Sequence, residues 1–323
     1  MKIEKLTPAF KDYLWGGTKL RDVYGKKCDY DKVAESWELS CHKDGNSVIA
    51  DGEFAGMTLA AYVEQEGKGV LGTDCAKFEN FPILIKLIDA KDPLSIQVHP
   101  SDEYALRVEG EYGKTEMWVI VDCEPGAFLY FGVNRLVSKE EFRQRIEDNT
   151  VLEVLNKVEV HPGDVFFIQS GTIHAIGAGI LICEIQQNSN CTYRVYDYDR
   201  RGADGRPREL HIEKALDVCR LEPSDTASRL GEVKALAGGT VQQLGACKYF
   251  STEKLIVEEV LTLEVGEDSF VSLLATEGSG WVEGPENKLA FRAGDSLLAP
   301  AGARRVRVTG RAVLVKTTVP AQD

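Results

Sequence analysis

The chain has 323 residues, and its 38 Lys plus Arg against 51 Asp plus Glu leave a net charge of −13. That acidity excludes a general nucleic-acid or anionic-membrane binder, since each needs a basic face. A hydrophobic fraction of 43% and a charged fraction of 28% exclude whole-chain disorder, collagen and coiled coil, and the length predicts about two domains.

The opening MKIEKLTPAF has no apolar core, so no signal peptide is expected. Eight cysteines lie scattered without a CxxC pair. This argues against a zinc ribbon or a disulfide scaffold and fits a reducing cytoplasm. Met57–Val70 is the first segment with a helical pattern. Short strands follow at Met117–Val121 and Ala127–Phe131, with Pro125-Gly126 as a turn between them. Ser138 with Glu141 three residues on forms a capping box, predicting a helix over Ser138–Lys157 with a break near Asn149. Strands return at Val165–Ile168, Leu181–Ile185 and Thr192–Tyr196, and a third helix is expected at His211–Leu221. Val165–Cys183 carries no formal charge, yet its Gly, Gln and Ser residues make it strand and turn rather than a membrane span.

Pro223–Gly239 is rich in small and polar residues and is read as a linker. After it come strand signals at Leu255–Val265, Ser269–Ala275, Leu289–Phe291, Ser296–Ala299, Arg304–Val308 and Ala312–Thr317, and Gly278–Val282 (GSGWV) resembles the G-x-G-x-V turn of the first motif of the cupin superfamily. The spacing is that of a β-sandwich or barrel. The organisation read from sequence is therefore a first domain over 1–222, a linker over 223–239 and a second β domain over 240–323.

Two of the five histidines sit in informative surroundings. Gln97 and His99 lie two apart in LSIQVHPSD, and alternate residues of a strand share a face. Glu116 opens a strand signal in GKTEMW, and His174 follows the Ser170-Gly171 turn. An amide oxygen, two imidazoles and a carboxylate form a mixed nitrogen and oxygen set for a divalent transition metal, with zinc suited and calcium disfavoured. His42, His161 and His211 are read as structural or surface residues. Arg194 invites an ion pair with Asp197 or Asp199 as an alternative to a functional role.

Gly163-Asp164 through Ser170-Gly171-Thr172-Ile173-His174 resembles the second motif of the cupin superfamily, with Gln169 where that motif has Pro. His99 through Glu116 resembles its first motif. More specifically, FPILIKLIDAKDPLSIQVHPSD, GKTEMW, SGTIHAIGAG and EIQQNSNCTYRVYDYDR resemble the type I phosphomannose isomerases. WGGTKL and AESWELS resemble the short bacterial branch of that family.

The resemblance implies a mainly β fold of two jelly-roll barrels, the first with helical additions. It implies a cytoplasmic aldose–ketose isomerase of carbohydrate metabolism. Mannose 6-phosphate and fructose 6-phosphate would interconvert through a cis-enediol. Gln97, His99, Glu116 and His174 match the family's metal ligands, with one Zn2+ per chain. Arg194, Lys114 and Lys86 match pocket residues, and a desolvated lysine there is expected to have a depressed pKa. Asn190 stands where the family commonly has Asp. In the second barrel Arg305 stands where a ligand His would fall, so no metal is expected there. The expected partner is a phosphosugar, with no nucleic acid and no membrane, in a monomer or weak homo-oligomer. A non-catalytic sugar-phosphate binder and another metal cupin enzyme, such as an iron oxygenase, remain the alternatives at this level.

Overall fold

The computed structural model describes residues 1–202, 205–227 and 230–321. It is mainly β, and three large antiparallel sheets carry the core. A six-stranded sheet runs in the spatial order Val165–Ile168, Glu116–Cys123, Ile180–Gln187, Ile83–Ala90, Glu35–Leu39 and Ala9–Lys11. A five-stranded sheet runs in the order Leu155–Glu159, Phe128–Val133, His174–Ile176, Ile96–Val98 and Tyr193–Tyr196. Trp118, Ile88 and Ile182 of the first meet Leu129, Phe131 and Ile176 of the second in one buried cluster. The far face of the five-stranded sheet is covered by two helices, through Phe142 and Ile146 of Lys139–Glu147 and Ala215 and Leu216 of Ile212–Val218.

The third sheet has ten strands and holds most of the chain after residue 232. Phe250, Phe270, Leu274 and Val315 from this part pack on Ile83, Ile85, Met117, Cys183 and Ile185 of the six-stranded sheet. Ile83–Ala90 and Ile180–Gln187 are therefore buried on both faces along their whole length. This explains their long apolar runs, and it makes each charge inside them conspicuous.

Several sequence expectations are corrected. The helix expected over Ser138–Lys157 ends at Glu147, Asn149 adopts φ +57, and Leu155–Glu159 is a strand. Asparagine tolerates the left-handed region and stops the helix there. Half of the capping box forms: Ser138 Oγ accepts from Glu141 N at 3.0 Å, whereas the Glu141 carboxylate pairs with Arg135 and Arg145. The Met57–Val70 helix is shorter, Leu59–Glu66, followed by a 3-10 turn at Lys68–Leu71. Leu255–Val265 is two strands, Ser251–Val257 and Val260–Val265. Conversely, Arg304–Thr318 is one strand whose neighbour on one side changes at Gly310, φ +140. Gly278–Val282 is not a turn but lies in the C-terminal half of the strand Val271–Glu283. The segment read as a linker contains an exposed strand, Val233–Leu236; Ser228 and Arg229 lie outside the described residues.

The N-terminal strand Glu4–Thr7 pairs with Ser296–Leu298 and so joins the sheet of the C-terminal part. Glu4 is buried there, and burial followed by repulsion from Asp51 pushes its pKa up from 4.5 to about 7. The folded state thus keeps the proton while an unfolded chain releases it. The penalty is absent below pH 4.5, grows as pH rises, and is complete above 7. Glu4→Gln is expected to leave stability unchanged at pH 4.5 and raise it at pH 8. Full burial would make that gain about 3 kcal/mol, and partial solvent access reduces it to about 1 kcal/mol. Denaturant unfolding at the two pH values measures it; an equal gain at both excludes this cause.

Candidate active site

Side chains directly opposite each other on neighbouring strands share a face. On the five-stranded sheet Gln97 is in register with His174 on one side and Arg194 on the other. On the six-stranded sheet Glu184 is in register with Trp118 on one side and Lys86 on the other. Glu116 lies two residues before Trp118 and shares its face. The two rows meet between the sheets. His99 follows the strand Ile96–Val98, and its carbonyl accepts from Gly171 N at 2.8 Å. Gly171 adopts φ +87, and a Cβ there would meet Val218 O at 2.8 Å, so glycine is required at this turn before His174.

His99, Glu116 and His174 are 1%, 0% and 0% exposed, and one ligand atom from each falls within 4.8 Å of the others. His174 Nε2 is 3.2 Å from Glu116 Oε1, and His99 Nε2 is 3.6 Å from Glu116 Oε2. His99 Nδ1 donates to Cys191 O at 2.9 Å and His174 Nδ1 to Thr172 O at 2.9 Å. A carbonyl only accepts, so each Nδ1 carries the proton and each Nε2 turns a lone pair toward Glu116. Gln97 Nε2 is 3.4 Å from His174 Nε2, and a half-turn of the amide presents its oxygen instead. Lys114 Nζ lies 2.6 Å from Glu116 Oε2, yet among the described residues no well-directed hydrogen bond reaches either carboxylate oxygen.

These features fit a metal ion. Tetrahedral zinc sets its ligand atoms roughly 3.3 Å apart. Buried carboxylate oxygens without a directed donor, facing two imidazole lone pairs, match that spacing and charge. Burial alone would raise the Glu116 pKa, but Lys114 and His99 outweigh it and hold the carboxyl well below its usual range. Burial, then Lys114, holds His99 well below its ordinary value and hence neutral, the form that ligates.

Gln97 and Lys114, which touch this cluster, also line a cavity of about 270 Å³, together with Lys86, Arg194, Glu184 and Arg208 among others. Wider hollows, about 860 and 780 Å³, lie elsewhere, but among the described residues no second cluster of this kind occurs. The three basic residues singled out in the sequence therefore face one space. Lys86 does not have the depressed pKa expected of it. Burial would lower it, but Glu35, Glu184 and Glu116 outweigh burial and raise it. Its ammonium is 3.5 Å from Glu35 Oε2 and 3.3 Å from Glu184 Oε1.

Arg194 does not pair with Asp197 or Asp199. Asp197 is engaged by Arg200 and Arg208. Arg194 Nη1 donates to Glu209 O at 2.8 Å, while its buried Nε has no protein partner among the described residues. Burial, then Arg208, lowers its pKa.

Glu184, Glu35 and Arg208 were not anticipated. A carboxylate inside the apolar run Ile180–Gln187 was a usable signal for Glu184, whose Oε2 accepts from Trp118 Nε1 at 2.8 Å. Arg208 offered none, since it follows a turn and is aimed by Asp197. Gln169 accepts from Arg220, and Asn190 Nδ2 donates to Asp44 Oδ2 at 2.9 Å. His161 is exposed, His42 is buried against Glu111, and His211 Nδ1 accepts from Arg194 N at 3.1 Å. Arg305, in the second barrel, is exposed and 3.4 Å from Glu264. No described helix is long and apolar enough to cross a membrane.

Residues 3–117 match the family model for the type I phosphomannose isomerase catalytic domain, and residues 240–319 match that for the mannose-6-phosphate isomerase cupin domain. The chain is 38% identical to mannose-6-phosphate isomerase ManA of Bacillus subtilis, over 94% of this chain and 95% of that one. It is also 38% identical to a mannose-6-phosphate isomerase of Streptococcus mutans, over 89% of each. A crystal structure of mannose 6-phosphate isomerase from B. subtilis superposes with a TM-score of 0.91 at 34% identity, covering 98% of this chain and 99% of that one.

Proposed function

The chain belongs to the type I phosphomannose isomerase family, and from that premise we propose that it interconverts mannose 6-phosphate and fructose 6-phosphate. The observation that carries this reading is the buried His99–Glu116–His174 cluster, joined through Gln97 and Lys114 to a cavity that these two line together with Lys86 and Arg194. We assign Gln97, His99, Glu116 and His174 to one Zn2+ per chain. Bound there, the ion would supply positive charge for sugar oxygens as negative charge develops on them. A zinc-bound mannose 6-phosphate isomerase shares the fold, with a TM-score of 0.79 at 18% identity. We also infer a catalytic domain over 1–222, a linker over 223–239, a metal-free second barrel over 240–323 and a cytoplasmic location.

Isomerisation moves a proton from C2 of the aldose to C1 while a proton passes from O2 to O1, so no electrons enter or leave overall. A positioned base must take the carbon-bound proton and give it back. Lys114 is our choice for it: its Nζ reaches both Glu116 and His99 and lines the cavity, and in this role it takes the proton from C2 as the amine and returns it to C1 from the ammonium. Lys86, held charged by Glu35 and Glu184, stabilises the enediolate from the six-stranded sheet. Arg194 presents its unpartnered Nε and its fork to substrate oxygens or phosphate.

A coupled assay for fructose 6-phosphate tests the reading. Metal-replete protein is expected to turn over, chelation to abolish turnover, and zinc to restore it. No turnover by metal-replete protein overturns the proposal.

A further inference from the structure

The carbonyl that orients His99 belongs to a segment held from outside the cluster. Cys191 O accepts from His99 Nδ1. The residue before it, Asn190, donates its backbone N–H to Glu111 Oε1 at 2.6 Å. The same carboxylate oxygen is 3.1 Å from His42 Nε2. His42 Nδ1 accepts from Asp44 N at 3.1 Å, so the ring's proton sits on Nε2 and is donated to Glu111. Asp44 returns to the same segment by accepting from Asn190 Nδ2. Ser189 Oγ donates to Tyr112 O and accepts from Cys191 N, which tightens the turn from inside. His42 is 5% exposed and lies edge-on to Trp37, so the donor to Glu111 is itself fixed.

We propose that Glu111, gripped by His42, is a positioning residue for His99: it fixes the 189–191 turn whose last carbonyl sets the His99 tautomer and ring angle. The inference rests on the assignment of His99 as a metal ligand. Glu111 touches neither that ion nor the sugar. Its effect travels through one backbone N–H, one carbonyl and the imidazole between them. Groups that orient metal-binding histidines affect affinity by about 10–100-fold, and one covalent step further out the lower end applies.

The test is metal affinity, measured by competition with a chromophoric chelator, together with the visible d–d spectrum of the cobalt-substituted protein. Glu111→Ala is expected to weaken zinc binding about tenfold and to shift the cobalt bands. Glu111→Gln retains an acceptor oxygen for both Asn190 N–H and His42, so it is expected to stay within about twofold of the parent. Glu111→Asp folds with the charge in place but one methylene short, and it is expected to fall on the alanine side. Should the alanine variant not fold, the Gln–Asp contrast gives the same answer. Unchanged affinity and spectrum in Glu111→Ala or Glu111→Asp overturn the inference and leave the His99 assignment standing. A parent protein that binds no divalent metal overturns both.

Discussion

Replacing Glu116 with alanine is expected to empty the metal site and reduce turnover about 10³-fold or more, since losing about 4 kcal/mol of charge stabilisation corresponds to that factor. Glu116 is the one anion in the proposed ligand set, fully buried between two imidazole lone pairs. Without it the remaining donors are neutral, and Lys114 loses the carboxylate 2.6 Å away that balances it. The ammonium would then repel a dication. Glu116→Gln preserves volume but not charge, so it should fail similarly. Metal analysis gives zinc per chain, and the coupled assay gives rate. A Glu116→Ala protein that keeps both metal and activity removes the site assignment.

Arg194→Ala is expected to lower kcat/KM for the phosphosugar by about 10²–10³-fold, the loss of two charge-assisted hydrogen bonds at 1.5–2 kcal/mol each. The side chain is fixed by its bond to Glu209 O and by the His211 ring on its backbone N–H, so its free donors face a defined point in the cavity. Arg194→Lys keeps the charge without the fork and should recover part of the loss. The division between kcat and KM separates the roles. A rise in KM alone assigns the fork to uniform binding, such as a grip on phosphate, and a fall in kcat assigns it to the enediolate. Zinc content should stay unchanged, because Arg194 is not in the ligand cluster. Undiminished kcat/KM in the alanine variant excludes Arg194 from the site.

The ease of reading this chain varies with the range of the interaction. Gln97 and His99 stand two apart, and strand pleating alone puts them on one face. The turn glycine before His174 is a local backbone requirement visible in the sequence. Lys86 shows the opposite. Burial argued for a depressed pKa, but Glu35 and Glu184 arrive from neighbouring strands and reverse its sign. Arg194 was offered Asp197 three residues away, yet Arg208 and Arg200 take that carboxylate through the folding of a later loop. The strand Leu155–Glu159 was hidden because its apolar residues continue the helical period before it. Its partner Phe128–Val133 decides otherwise.

Composition and motif alone determined the mainly β class and the short roll of metal-binding candidates. These depend on residue type and on periods of two to four residues, which survive in one dimension. The tertiary structure decided which strand neighbours which, and with that the directions in which Lys86 and Arg194 are shifted in the cavity. It also decided that Glu4–Thr7, near one end of the chain, joins the sheet built mostly by the other. Electrostatic interactions fall off with distance through space and not along the chain. A site assembled from two sheets therefore acquires its electrostatics only when the sheets meet.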